Sequence, residues 1–442
     1  MAGADAQQGG ANPGLLNEGV KKREVFGWSM YDFANSGYTT VVLTAVYNAY
    51  FVGVVAEGKP HATLLWTVLI ALSSLIVMLS MPALGAYADA HAAKKRLLAV
   101  STAGCVVSTI GLALAGRGEV WPAAVAVVLS NTFYSYGESL IAAFLPELAR
   151  REALGRVSGW GWAFGYCGGM LALGLSLAYV LHAQARGIPA TEFVPVTMLI
   201  TAGLYALAAL PTFLLLRERA RAQAPRPADQ QDEGGGLRQL WRSWQRAQAY
   251  PDFLRLLACG TSYQAGIAVV IALAAVYAEQ TLGFQQAQTM ALVFLVNIAS
   301  ALGAFAFGYF EDRVGHQRAL AYTLLGWMLM VLLAYLASTA TLFWVAAVIA
   351  GLCMGSSQSC GRALAGSFAP PARLAEFFGL WTFATRLAAI IGPLTYGLVT
   401  WLTTGNHRLA ILSTGVFFLL GWIILRGIDM QRGVAAATWT AD

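Results

Sequence analysis

Gly85-Ala-Tyr-Ala-Asp89, trailed by Lys94-Lys95-Arg96, and Gly308-Tyr-Phe-Glu-Asp312, trailed by Arg313 and Arg318, are two copies of one short acidic-to-basic element. About half of the 442-residue chain separates them, and each follows one long apolar segment and precedes another. A loop duplicated at half-length spacing between apolar segments implies a membrane protein built from two repeats.

Composition leads to the same place. Hydrophobic residues make up 58% of the chain and charged residues 11%, with a mean hydropathy of +0.60. A soluble globule could not bury that much apolar surface. Twelve stretches come near the ~20 residues that cross a ~30 Å hydrocarbon core. They lie at about 27–55, 62–88, 96–116, 121–145, 157–181, 194–216, 252–278, 288–310, 319–337, 341–365, 375–402 and 407–427. The expected architecture is an all-α polytopic membrane protein with twelve transmembrane helices in two pseudo-symmetric six-helix halves. Residues 1–24 are read as an N-terminal tail, 25–216 as the first half, 217–250 as a linker, 251–428 as the second half and 429–442 as a C-terminal tail. The first 20 residues, rich in Gly, Ala, Asn and Gln, lack the apolar core of a signal peptide and predict a mobile tail. In the linker, Pro225, Pro227, Asp229, Asp232, Glu233 and Gly234-Gly235-Gly236 predict flexibility. Leu237, Leu240, Trp241 and Trp244 then fall at helical spacing, as in a short amphipathic helix lying on the membrane face.

The basic residues orient the chain. Of 28 Lys and Arg, only Lys59, Arg117, Arg186 and Arg408 fall in predicted outer loops, and Arg386 falls inside a helix. The rest flank the other face, which places both termini in the cytoplasm, most simply at the inner membrane of a bacterium. The net charge of +6 then faces anionic lipid and needs no nucleic-acid partner.

Several chemistries find no support. The glycines of the fifth segment lack the Gly-x-Gly-x-x-Gly spacing after a strand, and no Gly-x-x-x-x-Gly-Lys-Ser/Thr occurs, so no nucleotide cofactor is expected. The five histidines are scattered and the five cysteines lie in apolar segments, which argues against a metal site, a disulfide framework or an enzyme. A monomer in the lipid bilayer that binds a small molecule is the expected form.

Polar residues at lipid depth are the functional candidates, because ionisable groups there cost roughly 2.5–3.5 kcal/mol or more unless they face a cavity or a partner. Asn131, Tyr134, Ser135, Glu138 and Ser139 share one helical face, either lining a cavity or forming a helix-helix seam. Glu138 suits proton carriage, since burial can move a carboxyl into a useful range. Tyr31, Asp32, Asn35, Ser36 and Thr39 occupy the first segment, where Asp32 either faces a cavity or caps a helix that starts later. The tenth segment ends in a small polar patch with Gln358 and Arg362, the latter either functional or snorkelling to the inner surface. Arg386 lies roughly 16 Å into its helix at 1.5 Å per residue, beyond easy snorkelling. It needs an anion: Asp32, Glu138 or a substrate carboxylate or phosphate.

The two loops resemble the signature of the major facilitator superfamily. Trp28-Ser-Met-Tyr31-Asp32-Phe33-Ala34-Asn35-Ser36 is similar to the opening of its vacuole effluxer-like branch. Leu145-Pro146-Glu147-Leu148, Ser158-Gly-Trp-Gly-Trp-Ala-Phe-Gly165-Tyr166-Cys-Gly168-Gly169 and Glu376-Phe377-Phe378-Gly379-Leu380 agree with it. In the seventh helix the branch's Tyr-Asn-Asp-Gly becomes Tyr263-Gln264-Ala265-Gly266. The resemblance implies alternating access, a cavity lined by the first, fourth, seventh and tenth helices, and efflux of a small polar metabolite such as an amino acid; with no ATP site a gradient must drive it, and a titratable pair in the cavity makes protons the natural coupling ion. Lipid or amphipathic-drug transport and a non-transporting receptor are its alternatives. It also implies that Gly85, Asp89, Gly308 and Asp312 gate the transporter by stabilising the outward-open form. Glycine permits close helix approach and aspartate can accept hydrogen bonds from a helix N-terminus, unless these aspartates are merely solvated.

Overall fold

The computed structural model describes residues 14–59, 61–220, 236–284 and 286–439. Its long helices are α1 (Lys22–Val55), α2 (Ala62–Ala90), α3 (Lys94–Leu112), α4 (Val120–Ala142), α5 (Leu154–Ala185), α6 (Ala190–Leu215), α7 (Pro251–Leu282), α8 (Gln286–Val314), α9 (His316–Leu336), α10 (Ala340–Phe368), α11 (Leu374–Leu402) and α12 (His407–Arg426). Two shorter helices, Gly236–Ala247 and Met430–Trp439, follow α6 and α12.

Eleven of the twelve are long and apolar enough to cross a membrane by composition alone. The exception is α4. Its 23 residues span about 35 Å at 1.5 Å each, but the polar stripe from Asn131 to Ser139 dilutes its hydropathy. A helix like this is tolerated at membrane depth when protein covers its polar face. In α1 the β-branched run Thr39-Thr40-Val41-Val42 opens a wide π turn over Thr39–Ala45, where the Val46 N–H reaches back five residues to the Val41 carbonyl. The lipid-facing exterior is apolar, with Leu64, Val107, Trp121, Leu207, Leu214 and Trp401 well exposed.

Two bundles result. In the first, α1 packs on α5 and α6, α3 on α4 and α6, and α2 on α4; in the second, α7 packs on α11 and α12, α8 on α10, and α9 on α10 and α12. They meet where α2 crosses α11 and where α5 crosses α8 and α10. Glycine permits the crossing: a Cβ at Gly159 of α5 would overlap the Ala304 carbonyl of α8.

Three peripheral expectations change. Residues 14–20 are held rather than loose: Asn17 N–H and Nδ2 donate to the Leu148 and Pro146 carbonyls, and Arg150 N–H donates to the Leu15 carbonyl. Within the expected linker, residues 221–235, including Pro225, Pro227, Asp229, Asp232 and Glu233, lie outside the described residues, as do residues 1–13 and 440–442 of the tails. The linker helix presents exposed Trp241 and Trp244 but docks on protein: Ser243 Oγ (2.6 Å) and Arg246 Nη1 (3.0 Å) both donate to Glu376 Oε1 in the first turn of α11. It therefore packs on α2 and is tied by these polar side chains to the start of α11. The C-terminal segment is also helical, and a Cβ at Gly433 would meet the Phe368 ring of α10.

Candidate functional site

Two carboxylates close the bundles together on the side that carries the linker. With only hydrogen at position 85, α2 admits the start of α11 so closely that a Cβ there would overlap the Ala375 carbonyl. One turn on, buried Asp89 accepts the Ala375 N–H at 3.1 Å and the Glu376 N–H at 2.8 Å. These are orphan donors of a helix N-terminus, where the helix dipole also favours an anion. The second loop repeats the arrangement on α5. Gly308 lets the Gly155 carbonyl within 2.8 Å of where a Cβ would stand, and Asp312 accepts the Arg156 N–H at 3.2 Å and Arg156 Nε at 2.9 Å. Both aspartates are thus engaged across the bundle interface rather than solvated.

Deeper in, two arginine-carboxylate pairs join the bundles. Asp32 sits ten residues inside the opening helix of α1, so it does not cap it. Its Oδ2 accepts Arg362 Nη1 of α10 at 2.7 Å. Arg362 also donates from Nε to Ser158 Oγ (3.1 Å) and from Nη2 to the Ser158 carbonyl (2.7 Å), with the Trp28 and Trp162 rings 4.6 and 5.3 Å from its guanidinium carbon. It is only 7% exposed and does not snorkel. Gly161 makes room for the pair, since a Cβ there would overlap the Asp32 carboxylate. In the other pair, Arg386 Nη2 of α11 donates to Glu138 Oε2 of α4 at 2.7 Å. These side chains are 18% and 39% exposed, and the buried Arg386 Nε has no hydrogen-bond partner.

Other sequence candidates sit elsewhere. Asn35 lies within the first bundle, its Oδ1 accepting the Tyr205 hydroxyl at 2.6 Å. Asn131 is buried in the seam with α2, its Nδ2 donating to Ser73 Oγ at 2.5 Å, and its neighbour Tyr134 stacks on Tyr38. The α4 stripe is therefore a seam with α2 at Asn131 and reaches the bundle interface at Glu138. Tyr263 is fully buried against Gly361 of α10. Gln264 and Gln358 exchange amide hydrogen bonds between α7 and α10 at 2.9 and 3.3 Å.

Sequence reasoning passed over Ser158 and Arg156, and gave no part to Trp28. A serine or an arginine at a helix start carries no signal of its own when its partner lies in the other bundle. The glycines flanking Ser158 were the available clue, because they mark where another backbone comes close.

The family described as "Vacuole effluxer Atg22 like" matches residues 20–438. The uncharacterized MFS-type transporter YxiO of Bacillus subtilis is 26% identical over 411 residues, covering 90% of this chain and 93% of that protein. Autophagy-related protein 22-1 of Aspergillus fumigatus is 26% identical over 209 residues, 44% of this chain and 34% of the fungal protein. The crystal structure of a bacterial homologue of the iron transporter ferroportin in an outward-facing state shares the fold, with a TM-score of 0.70 over 92% of this chain and 99% of that one at 14% identity. The chain is a multi-pass membrane transporter of the major facilitator superfamily rather than an enzyme, and it belongs to the vacuole effluxer Atg22-like family.

Proposed function

We propose that this transporter exports a small zwitterionic metabolite, an amino acid being the leading class, by proton-coupled alternating access, with the linker side facing the cytoplasm of a bacterium. The observation that carries the reading is the Glu138–Arg386 pair, which bridges the bundles while staying partly open to solvent. A zwitterion supplies both of the counter-ions the pair would lose on separating: a carboxylate for the arginine fork and an ammonium for the glutamate. A proton on Glu138 would loosen the same pair, which couples the two ligands through one contact. Gln264 and Gln358 add neutral donors and acceptors from the second bundle. Asp89 and Asp312 hold the linker side shut in this state and must release α11 and α5 for the cavity to open there.

A lipid or drug cargo would call on the aromatic residues near the helix interfaces, Trp160, Trp162, Tyr166 and Trp381, and the tryptophans among them are otherwise engaged. Trp162 packs on Arg362, Trp381 against Gly260 and Gly361, and Trp160 Nε1 reaches the Tyr309 hydroxyl. A polar substrate fits better.

The test is counterflow in proteoliposomes with a panel of radiolabelled amino acids, followed by uptake driven by a pH gradient. Wild type should show both, and Glu138→Gln should keep exchange while losing uphill accumulation. Uphill, pH-driven transport in Glu138→Gln would remove Glu138 as the proton carrier; binding without counterflow would make the protein a receptor.

A further inference from the structure

Glu311, at the linker end of α8, and His316, opening α9, lie apart from the two arginine-carboxylate pairs. Glu311 has no exposed side-chain surface, and its Oε1 lies 2.7 Å from His316 Nδ1. The other ring nitrogen, Nε2, lies 3.4 Å from the backbone carbonyl of Arg151, just ahead of α5 in the first bundle. A carbonyl can only accept, so this contact is a hydrogen bond only in the states where Nε2 carries a hydrogen. The 2.7 Å contact between Nδ1 and Oε1 then needs a proton of its own, whether on the ring or on the carboxyl. We propose that Glu311 and His316 form a proton-binding site, and that the proton held there keeps the linker side shut.

Removing that proton leaves one ring hydrogen for two acceptors, so either the Arg151 carbonyl contact across the bundles is lost or the Glu311 carboxylate is stranded away from water. The stranded group is pressed against the other bundle, where a Cβ on Gly155 would stand 2.6 Å from Glu311 Cδ. Relief comes from parting α8 from α5, which is the opening motion on this side. Among the described residues, Asp312, Cys360 and Tyr263 are set against Glu311, and none is a free cation. Asp312 adds negative charge and is already tied to Arg156 of α5. The Cys360 thiol of α10 and the Tyr263 phenol of α7 also act on Glu311, and neither is cationic in any state.

The first loop lacks this device. Aligning Gly85 with Gly308 sets Ala88 against Glu311 and Ala93 against His316. It has instead the buried contact of Lys94 Nζ with Glu147 Oε1. Of the side-chain types in the two contacts, histidine is the one whose ordinary charge change falls between pH 5 and 8. One loop should ignore physiological pH and the other should respond to it.

The consequence for gating rests on the alternating-access reading; the proton site itself does not. The test uses the full chain in nanodiscs with Cys167→Ser and spin labels on Arg96→Cys and Arg426→Cys. Both positions are exposed, one in each bundle near the linker side. Distances are measured from pH 5.5 to 8.5. The short-distance population should fall as pH rises, with the closed-to-open ratio changing by up to about tenfold per pH unit, the limit that linkage to one proton sets. The Glu311→Ala, His316→Ala double variant, which copies the first loop, should flatten the profile. Glu311→Gln, which preserves shape and still donates to Nδ1, should stay closed to pH 8.5. A flat wild-type profile, or an unchanged slope in Glu311→Gln, overturns the proposal. Asp89→Asn at pH 6 separates the two levels: if it opens the linker side while pH does not, only the proton site fails, and if it moves nothing, alternating access at this interface fails as well.

Discussion

The Asp32–Arg362 and Glu138–Arg386 pairs use the same side-chain classes, span the same two bundles and close to the same 2.7 Å, yet their surroundings differ. Arg362 donates from all three nitrogens and lies against two indole rings, so each guanidinium nitrogen is engaged and the pair has almost no contact with solvent. Arg386 makes one such bond, leaves a buried Nε unmatched and faces a glutamate that water reaches. The difference teaches that enclosure rather than ionic identity separates a strut from a contact that can exchange partners. A closed pair is costly to break because neither ion has another solvent; an open one can trade its partner for water, a proton or a ligand.

The largest expected effect is at the closed pair. Arg362→Ala leaves Asp32 buried and uncompensated and should cost about 3–5 kcal/mol, read as a large fall in melting temperature in detergent. Adding Asp32→Asn should restore much of the loss, and absence of that coupling in the double-mutant cycle would deny the pair its structural weight. Gly161→Ala comes next. Its methyl would overlap the Asp32 carboxylate and stand 2.6 Å from the Trp28 ring, an overpacking that should cost about 1–3 kcal/mol. Arg386→Ala should do least to stability, under about 1 kcal/mol given the exposed partner, while abolishing counterflow. If it destabilised the protein as much as Arg362→Ala, the contrast between the pairs would collapse.

Much of this was legible beforehand. Apolar segments of spanning length and the repeated loop led to a twelve-helix major facilitator fold, and the structure has it. Even α4 is instructive, since the polar residues that mark it as unusual are the ones that dilute its hydropathy. The need of Arg386 for an anion also followed from depth alone. The choice among Asp32, Glu138 and a substrate did not. Helical periodicity says which residues share a face and is silent on what that face meets; Asn131 and Glu138 share a stripe, yet one meets α2 of its own bundle and the other α11 of the opposite bundle.

By itself the sequence determined what the bilayer enforces locally: how many segments must be helical, which loops carry positive charge, and which polar groups require partners. These follow from the solvent and from spacing along the chain. Only the tertiary structure decided who those partners are. Asp32 finds Arg362 across 330 residues and Glu138 finds Arg386 across 248, distances over which no local pattern can choose between two equivalent arginines. The choice falls to close packing at positions such as Gly85, Gly159 and Gly161, where a missing side chain sets how near the two bundles come and therefore which charges touch.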